Sequence, residues 1–542
     1  MQPMTGSHTL PPSQSAACHG QSSWAWSIAA TVVAALLLAG CAGGPQEFQS
    51  HPPSESEARQ LFAEAYSHIQ QRYIEPVAIA PLALNGMQGL VTAQQDRDLR
   101  LQDDTDTLRV LKRNTTVASF RRPDPHDADG WAEVTAGLLH RIHETAPEPH
   151  VTPAEDIYET VLDGVVEPLD PFSRYATARA AEQQRGAREG FDGIGITIRT
   201  KDGETHVNGV MPGTPADAGG LMVGDRITHV DGKPLAGLEL EQVVEHLRGP
   251  AGSVVLLNLL RPEPPEPLQV KLRRTHVVPE TVHAAMEDSL ALFRISSFNR
   301  NTTRELERKY RQLAKHRIRG MIVDLRGNPG GLLDQAVLVA DLFLDGGVII
   351  STRGRHPASS SIFTADLHQI GQGVPMALLI NGDSASAAEL MAAALLDRGR
   401  AVAVGTTTHG KGTVQNLSRL PNGGELIITW SRIHAPSGYI LDGLGVLPSI
   451  CTADKTSLDS ATAVSARLDA YALHSARWHR YDHVDPSLAA TLRNDCPARA
   501  DQPDSDIAIA KHLLRNPVLY ARALQPVLES ASTPVLAGLG TS

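Results

Sequence analysis

Hydrophobic residues recur along this chain with more than one period, and the changes of period mark out its regions. Between about 54 and 185 they fall at helical intervals. The run Glu57-Ala-Arg-Gln-Leu61-Phe62-Ala-Glu-Ala65-Tyr66 and the stretch 131–142 each gather apolar positions on one helical face. The interruption at 93–127, with Asp103-Asp104-Thr-Asp106 and Arg121-Arg122-Pro-Asp-Pro-His126, is polar and reads as a loop or insertion. From about 190 to 275 the period drops to two, as in Ile194-Gly-Ile196-Thr-Ile198. Turns at Gly213-Thr-Pro215 and Asp231-Gly232 and a helix over 239–247 predict a small β domain with one helix. From about 280 to 450 short apolar runs alternate with helical stretches, which predicts layered α/β structure. There 303–315 is an amphipathic helix with Leu306, Tyr310 and Leu313 on one face. Beyond Cys451 the pattern turns polar and helical again, with helices over 468–478 and 507–514.

One stretch of the α/β region carries chemistry. The apolar strand Met376-Ala-Leu-Leu-Ile380 runs through a sharp Asn381-Gly382-Asp383 turn into Ser384-Ala385-Ser386-Ala387. A helix follows over 388–397, then a second strand, Ala401-Val-Ala-Val404, and Gly410-Lys411-Gly412-Thr413-Val414-Gln415. A serine at a helix N-terminus faces unpaired N–H groups that stabilise developing negative charge. It becomes a nucleophile once a base takes its proton. Ser386 with Glu389 three residues on is equally a capping box. Lys411, flanked by glycines after a buried-looking strand, is placed where the backbone can come close to something, and a lysine in a dry pocket favours its neutral amine. Upstream, Met321-Ile-Val-Asp-Leu325 enters Arg326-Gly327-Asn328-Pro329-Gly330-Gly331, a strand-to-helix turn able to offer N–H groups to an anion.

Two other chemistries use the same residues. Gly405-Thr-Thr-Thr-His-Gly410-Lys411-Gly412 approximates a phosphate-binding loop but has Gly412 at the magnesium-ligand position. It is followed by a strand-like run rather than a helix. His409, two residues from Lys411, shares its face if the segment is extended, and is the alternative base for a Ser–His–Asp hydrolase.

The run Ser384-Ala-Ser386-Ala-Ala-Glu389, then Asp397, then Gly410-Lys411-Gly412-Thr-Val-Gln415, resembles the active region of the carboxy-terminal processing (tail-specific) proteases. Ala388 stands where that family often has a third serine. The resemblance implies Ser386 as nucleophile, Lys411 as general base, Gln415 orienting the lysine and Asp397 supporting the site. The oxyanion donors would be the N–H of Ala387 and that of Gly330 or Gly331. Residues 190–275 similarly resemble a PDZ domain, in which Gly193-Ile194-Gly195-Ile196 would hold a peptide's terminal carboxylate while the peptide adds to the sheet edge. The fold implied is multidomain α+β/α/β. It comprises a helical N-terminal region with an insertion (42–185), a PDZ-like β domain (186–278), a layered crotonase/ClpP-like protease domain (279–452) and a helical C-terminal region (453–542). No metal or cofactor is implied; His474, His479 and His483 keep company with Arg477, Arg480 and Asp482 and read as a solvated helix face. The alternative of a non-catalytic tail-binding scaffold is disfavoured by the intact Ser386, Lys411 and Gln415.

Composition narrows the partners. A net charge of −11 over 542 residues, with no long basic run, argues against nucleic acid. Residues 1–41 read as a targeting segment: the apolar run 24–38 ends in Leu38-Ala39-Gly40-Cys41, which resembles a bacterial lipobox. No Lys or Arg precedes that run, unlike the usual export signal. The expectation is a lipid-anchored protein of the cell envelope, lipidated at Cys41 and, with Ala42 beside it, in the outer membrane. Its partners would be the C-terminal tails of envelope proteins and the membrane; an adaptor and a homo-oligomer are left open. Cys451 and Cys496 would be free to pair there.

Overall fold

The computed structural model describes residues 54–93, 99–145, 153–262, 265–367, 369–454 and 461–531. The targeting segment, Cys41 and Ala42 lie outside them. Among the described residues no helix is long and apolar enough to cross a membrane.

The two apolar faces at 57–66 and 131–142 meet. Helices Glu55–Arg72, Ile79–Ala93, Ala128–Thr145 and Ala154–Val166 bury Phe62, Tyr66, Trp131 and Tyr158 in one core. Ser54 and Glu57 close a capping box on the first of them. The interruption expected as a loop is instead an antiparallel meander of Leu99–Asp103, Thr107–Lys112 and Thr115–Arg121. Its middle strand turns Leu108 and Val110 into the helical core, and two inward residues are too brief an alternation to stand out from the polar ones around them. Arg113 and Asn114, at φ of 49° and 68°, make the second hairpin.

The period-two region is a β domain. Its sheet holds Ile196–Lys201 at one edge, then Glu204–Val210, Arg226–Val230, Val254–Pro262 and Pro265–Arg273, with the helix Leu240–Leu247 packed through Val243 and Leu247. The chain enters this domain through Phe191–Gly193 and leaves through Thr275–Val277, and these two short strands pair with each other.

The α/β region holds two sheets, whose residues share one core with the helices Leu333–Asp341 and Ala387–Asp397. Leu290–Ile295, Gly320–Asp324, Met376–Ile380, Val402–Gly405 and Ile450–Cys451 run parallel, with Val282–Glu287 antiparallel at one edge. Every residue of Met376–Ile380 and of the helix Ala387–Asp397 is buried, which is why both read as apolar runs, broken in the helix only by Glu389 and the terminal Asp397. The second sheet orders Ser361–Ala365, Gly347–Arg353, Glu425–His434 and Thr413–Arg419, and Arg174–Ala176 adds to Glu425–His434.

Beyond Cys451, helices Ala461–Trp478, Asp504–Arg515 and Pro517–Ala531 cover one face of the parallel sheet through Val464, Leu468, Leu513 and Leu519. Cys451 and Cys496 form a disulfide.

Candidate active site

The three loops of interest leave the carboxyl ends of three neighbouring parallel strands, the end at which open α/β sheets place their sites. The loop after Met376–Ile380 separates the two serines. Ser384 is fully buried and its hydroxyl donates to the Leu325 carbonyl at 2.8 Å, so it is part of the frame. Ser386 sits at the N-cap of Ala387–Asp397 with φ +54° and ψ −114°, a conformation a non-glycine residue adopts at a cost of about 1–3 kcal/mol. Its neighbours hold it there: Ala385 N–H donates to the Asn328 carbonyl at 2.9 Å, and Ser386 N–H donates to Glu389 Oε2 at 2.7 Å. The serine is therefore both helix cap and half-buried turn residue, and the two readings are compatible.

Glu389 ties the serine to the lysine. The same Oε2 accepts the Lys411 N–H at 2.9 Å, while Oε1 accepts the Thr408 hydroxyl and the Gly410 N–H, each at 2.6 Å. One fully buried carboxylate thus fixes the backbones of residues 386 and 411. Burial pushes its pKa upward, and the four donors favour the charged form. Sequence reasoning took Glu389 for a cap alone. The glycines flanking Lys411 let the loop close on residues 441–443: Gly443 N–H donates to the Gly410 carbonyl, and a Cβ at 412 would lie 1.9 Å from Asp442 N.

The Lys411 side chain is half-buried, its Nζ 5.2 Å from the centre of the Phe172 ring. Burial first, and then the Arg174 cation, hold its pKa below that of an ordinary lysine; Glu389 and Asp170 act in the opposite direction. Phe172 and Arg174 belong to the Leu169-Asp170-Pro171-Phe172-Ser173-Arg174-Tyr175 stretch, which lies ahead of the β domain. Asp170 accepts the N–H groups of Phe172 and Ser173, the Ser173 hydroxyl and the Thr429 hydroxyl, which fastens this wall to the second sheet. The one signal was Asp-Pro followed by an aromatic residue, which marks a turn and gives no address.

Not every expected partner arrives. Gln415 Nε2 donates to Thr413 Oγ1 at 2.8 Å, and no hydrogen bond joins it to Lys411 among the described residues. A bulge between Val414 and Gln415 resets the strand there. Asp397 lies at the far end of its helix, about 16 Å from Ser386 by helix rise. It accepts Ser437 N–H (2.9 Å) and Oγ (2.5 Å) and faces His479 Nε2 at 3.3 Å, so it braces the loop after Glu425–His434 rather than touching Ser386 or Lys411. No hydrogen bond joins Ser386 Oγ to Lys411 Nζ among the described residues. His409 is exposed, with no hydrogen bond or ion pair to a carboxylate among them. His474 and His483 face Asp495 and Asp482, so the three histidines do not converge. Thr413–Arg419 is a strand, which removes the helix a phosphate loop needs.

On the oxyanion side, a Cβ at Gly330 would lie 2.9 Å from Ser386 Cβ and 3.0 Å from Ala387 N, so this loop lies against the serine. Gly330 N–H is engaged by Asn328 Oδ1 at 2.9 Å. Gly331 N–H and Ala387 N–H have no acceptor among the described residues. In the β domain the Ile194 and Gly195 carbonyls accept from Ala216 and Met211 N–H, each at 2.9 Å, and the edge strand Ile196–Lys201 pairs on one side only among the described residues. Gly193 itself pairs with Thr275 in the neck.

Comparison with known proteins agrees with these two modules. Residues 289–452 match the family model described as Peptidase family S41, and residues 182–260 match the PDZ domain. The chain is 35% identical over 316 residues to a carboxy-terminal-processing protease of Bartonella bacilliformis, covering 57% of this chain and 73% of that one. It is 31% identical over 317 residues to the carboxy-terminal processing protease CtpA of Bacillus subtilis, covering 58% and 68%. Among solved structures, a photosystem II D1 C-terminal processing protease aligns at 24% identity and a TM-score of 0.37, over 73% of this chain and 92% of that one. With two domain matches in the expected order and relatives that align over more than two thirds of their length, this chain belongs to the carboxy-terminal processing protease family of PDZ-containing serine peptidases.

Proposed function

We propose that the protein is an envelope endopeptidase that captures C-terminal tails on its PDZ domain and cleaves through a Ser386–Lys411 dyad and an acyl-enzyme. The observation that carries this reading is the shared Glu389 oxygen, which holds both backbones, beside a lysine whose surroundings favour the neutral amine. Neutral Lys411 Nζ takes the Ser386 proton as Oγ attacks the scissile carbonyl carbon. The oxyanion is met by Ala387 N–H and by Gly331 N–H, since Gly330 is already engaged. Collapse expels the amine, protonated by Lys411, and leaves an ester on Ser386. Lys411 then deprotonates the water that releases the acid. The Ser386–Lys411 hydrogen bond forms when substrate closes the site, as catalytic contacts often do. Gln415 and Asp397 take supporting roles, the latter through the 435–446 loop. A tail carboxylate is bound by the Ile194 and Gly195 N–H groups at the head of the Ile196–Lys201 edge. Lipidation at Cys41 places the enzyme at the outer membrane, and the Cys451–Cys496 disulfide suits an oxidising compartment.

The test is cleavage of an unfolded reporter with an apolar tail by the full chain. Ser386→Ala and Lys411→Ala each abolish cleavage, an amidated or charged tail weakens it, and His409→Ala leaves it near normal. Retained activity in Lys411→Ala together with collapse in His409→Ala would replace the dyad with a triad.

A further inference from the structure

Each catalytic loop is gripped at its root by one segment from outside the matched peptidase residues. Arg499 N–H donates to Thr406 Oγ1 at 3.2 Å, five residues ahead of Lys411. The Arg499 carbonyl accepts Gly382 N–H at 2.6 Å, four residues ahead of Ser386, and a Cβ at 382 would lie 2.9–3.1 Å from the Arg499 backbone. Asn381 Nδ2 donates to the Ala500 carbonyl at 2.9 Å, while its Oδ1 accepts Gly327 N–H at 3.0 Å, four residues ahead of Gly331. The third loop is also held directly, by Arg326 Nη1 donating to the Pro503 carbonyl at 2.9 Å. The segment crosses the carboxyl ends of three adjacent parallel strands and contacts all three loops with backbone groups. Its near end is covalently fixed by the Cys451–Cys496 disulfide, and Cys451 pairs with Gly405, the last residue before the lysine loop. Arg499 Nη1 donates to the Ala453 carbonyl at 2.6 Å, so the free arm is held beside the same strand.

We propose that residues 496–503 are a positioning strap for catalysis. Tethered by Cys451–Cys496, they set the placement of Ser386, Lys411 and Gly331 relative to one another without touching substrate. The proposal rests on the Ser–Lys reading. A loop held at its root by short backbone contacts moves as a lever at its tip, and displacements near 1 Å at the reacting atoms cost about a hundredfold in rate. Tail capture, which belongs to a separate domain, is not affected.

The experiment compares the full chain with a Cys451→Ser, Cys496→Ser double variant and with Asn381→Asp. The latter keeps an acceptor for Gly327 but loses the donor to Ala500. Rates are expressed per active site titrated with a fluorophosphonate that labels Ser386, alongside KM, affinity for a fluorescent tail peptide, and melting temperature. The expected result is a fall in kcat per titrated site of about tenfold or more in both, with KM and tail affinity within about twofold. A purely structural role would lower the melting temperature and the titratable fraction and leave kcat per titrated site unchanged; that outcome overturns the proposal. Where the double variant does not fold, the disulfide of the folded chain is reduced with dithiothreitol. Two electrons and two protons pass to the cysteines as the dithiol closes to its cyclic disulfide. Loss of kcat that returns on reoxidation supports the strap, and full activity with both thiols alkylated overturns it. Cleavage that survives Ser386→Ala is a different failure, that of the dyad, and removes the premise.

Discussion

Glu389 and Arg174 are the two side chains whose roles emerge from geometry rather than from any motif. Glu389 receives four donors in a fully buried site, three of them backbone N–H groups that can only donate. Glu389→Gln turns an NH2 toward at least one of those donors and orphans it, at about 1–3 kcal/mol for each unpaired group. The expected outcome is a lowered melting temperature together with a loss of kcat/KM of about a hundredfold. A variant that melts and cuts like its parent would mean the loops are held by other contacts. Arg174 bears on the base. Its cation disfavours a charged Lys411, so Arg174→Gln raises the Lys411 pKa. In the proposed mechanism the neutral amine is the catalytic form, so the rising limb of kcat/KM against pH moves to higher pH in that variant. A limb that stays put or moves down would exclude Arg174 as a tuning charge.

At the level of elements, the strand–turn–helix around Ser386 was legible because both flanking segments are buried on all sides and so are apolar but for Glu389 and Asp397. Spacing also placed Lys411 on the neighbouring loop. It could not say which side chains arrive from elsewhere. Asp397 meets residues 40 and 82 positions away, Ser437 and His479, and Gln415 is turned to Thr413 by a bulge that no periodicity announces. The wall at Phe172 comes from before the PDZ domain, and the meander at 99–121 hides its three buried residues, Leu99, Leu108 and Val110, among polar neighbours. The buried Arg326, bonded to Asp324 in its own loop and to Asp506 of the helix Asp504–Arg515, is another such long-range contact. Asp324 is only two residues away, whereas Asp506 is 180 residues on and no spacing announces it. Arg326→Met leaves buried Asp506 without its cation and Asp324 with Arg294 alone, and lowers unfolding free energy by about 3–5 kcal/mol, read by denaturant titration. A loss under about 1 kcal/mol would show these carboxylates to be neutral or solvated.

Over the whole molecule, the peptidase sheets are clasped from both ends of the sequence. The N-terminal helices lend a wall and an edge strand, and the C-terminal helices close one sheet face and hold the loops. The PDZ domain alone is differently attached. It leaves and rejoins the body through strands that are hydrogen-bonded to each other, Phe191–Gly193 and Thr275–Val277, and its core of Val207, Ile227, Val243 and Leu257 is its own. Both of its ends therefore lie side by side, a few ångströms apart, as a ladder pair must. A receptor whose two ends enter and leave an enzyme side by side, around a core of its own, can be traded for another with matching ends. In a protein built this way, tail binding is written into one parenthesis of the chain, with a core apart from that of the peptidase sheets.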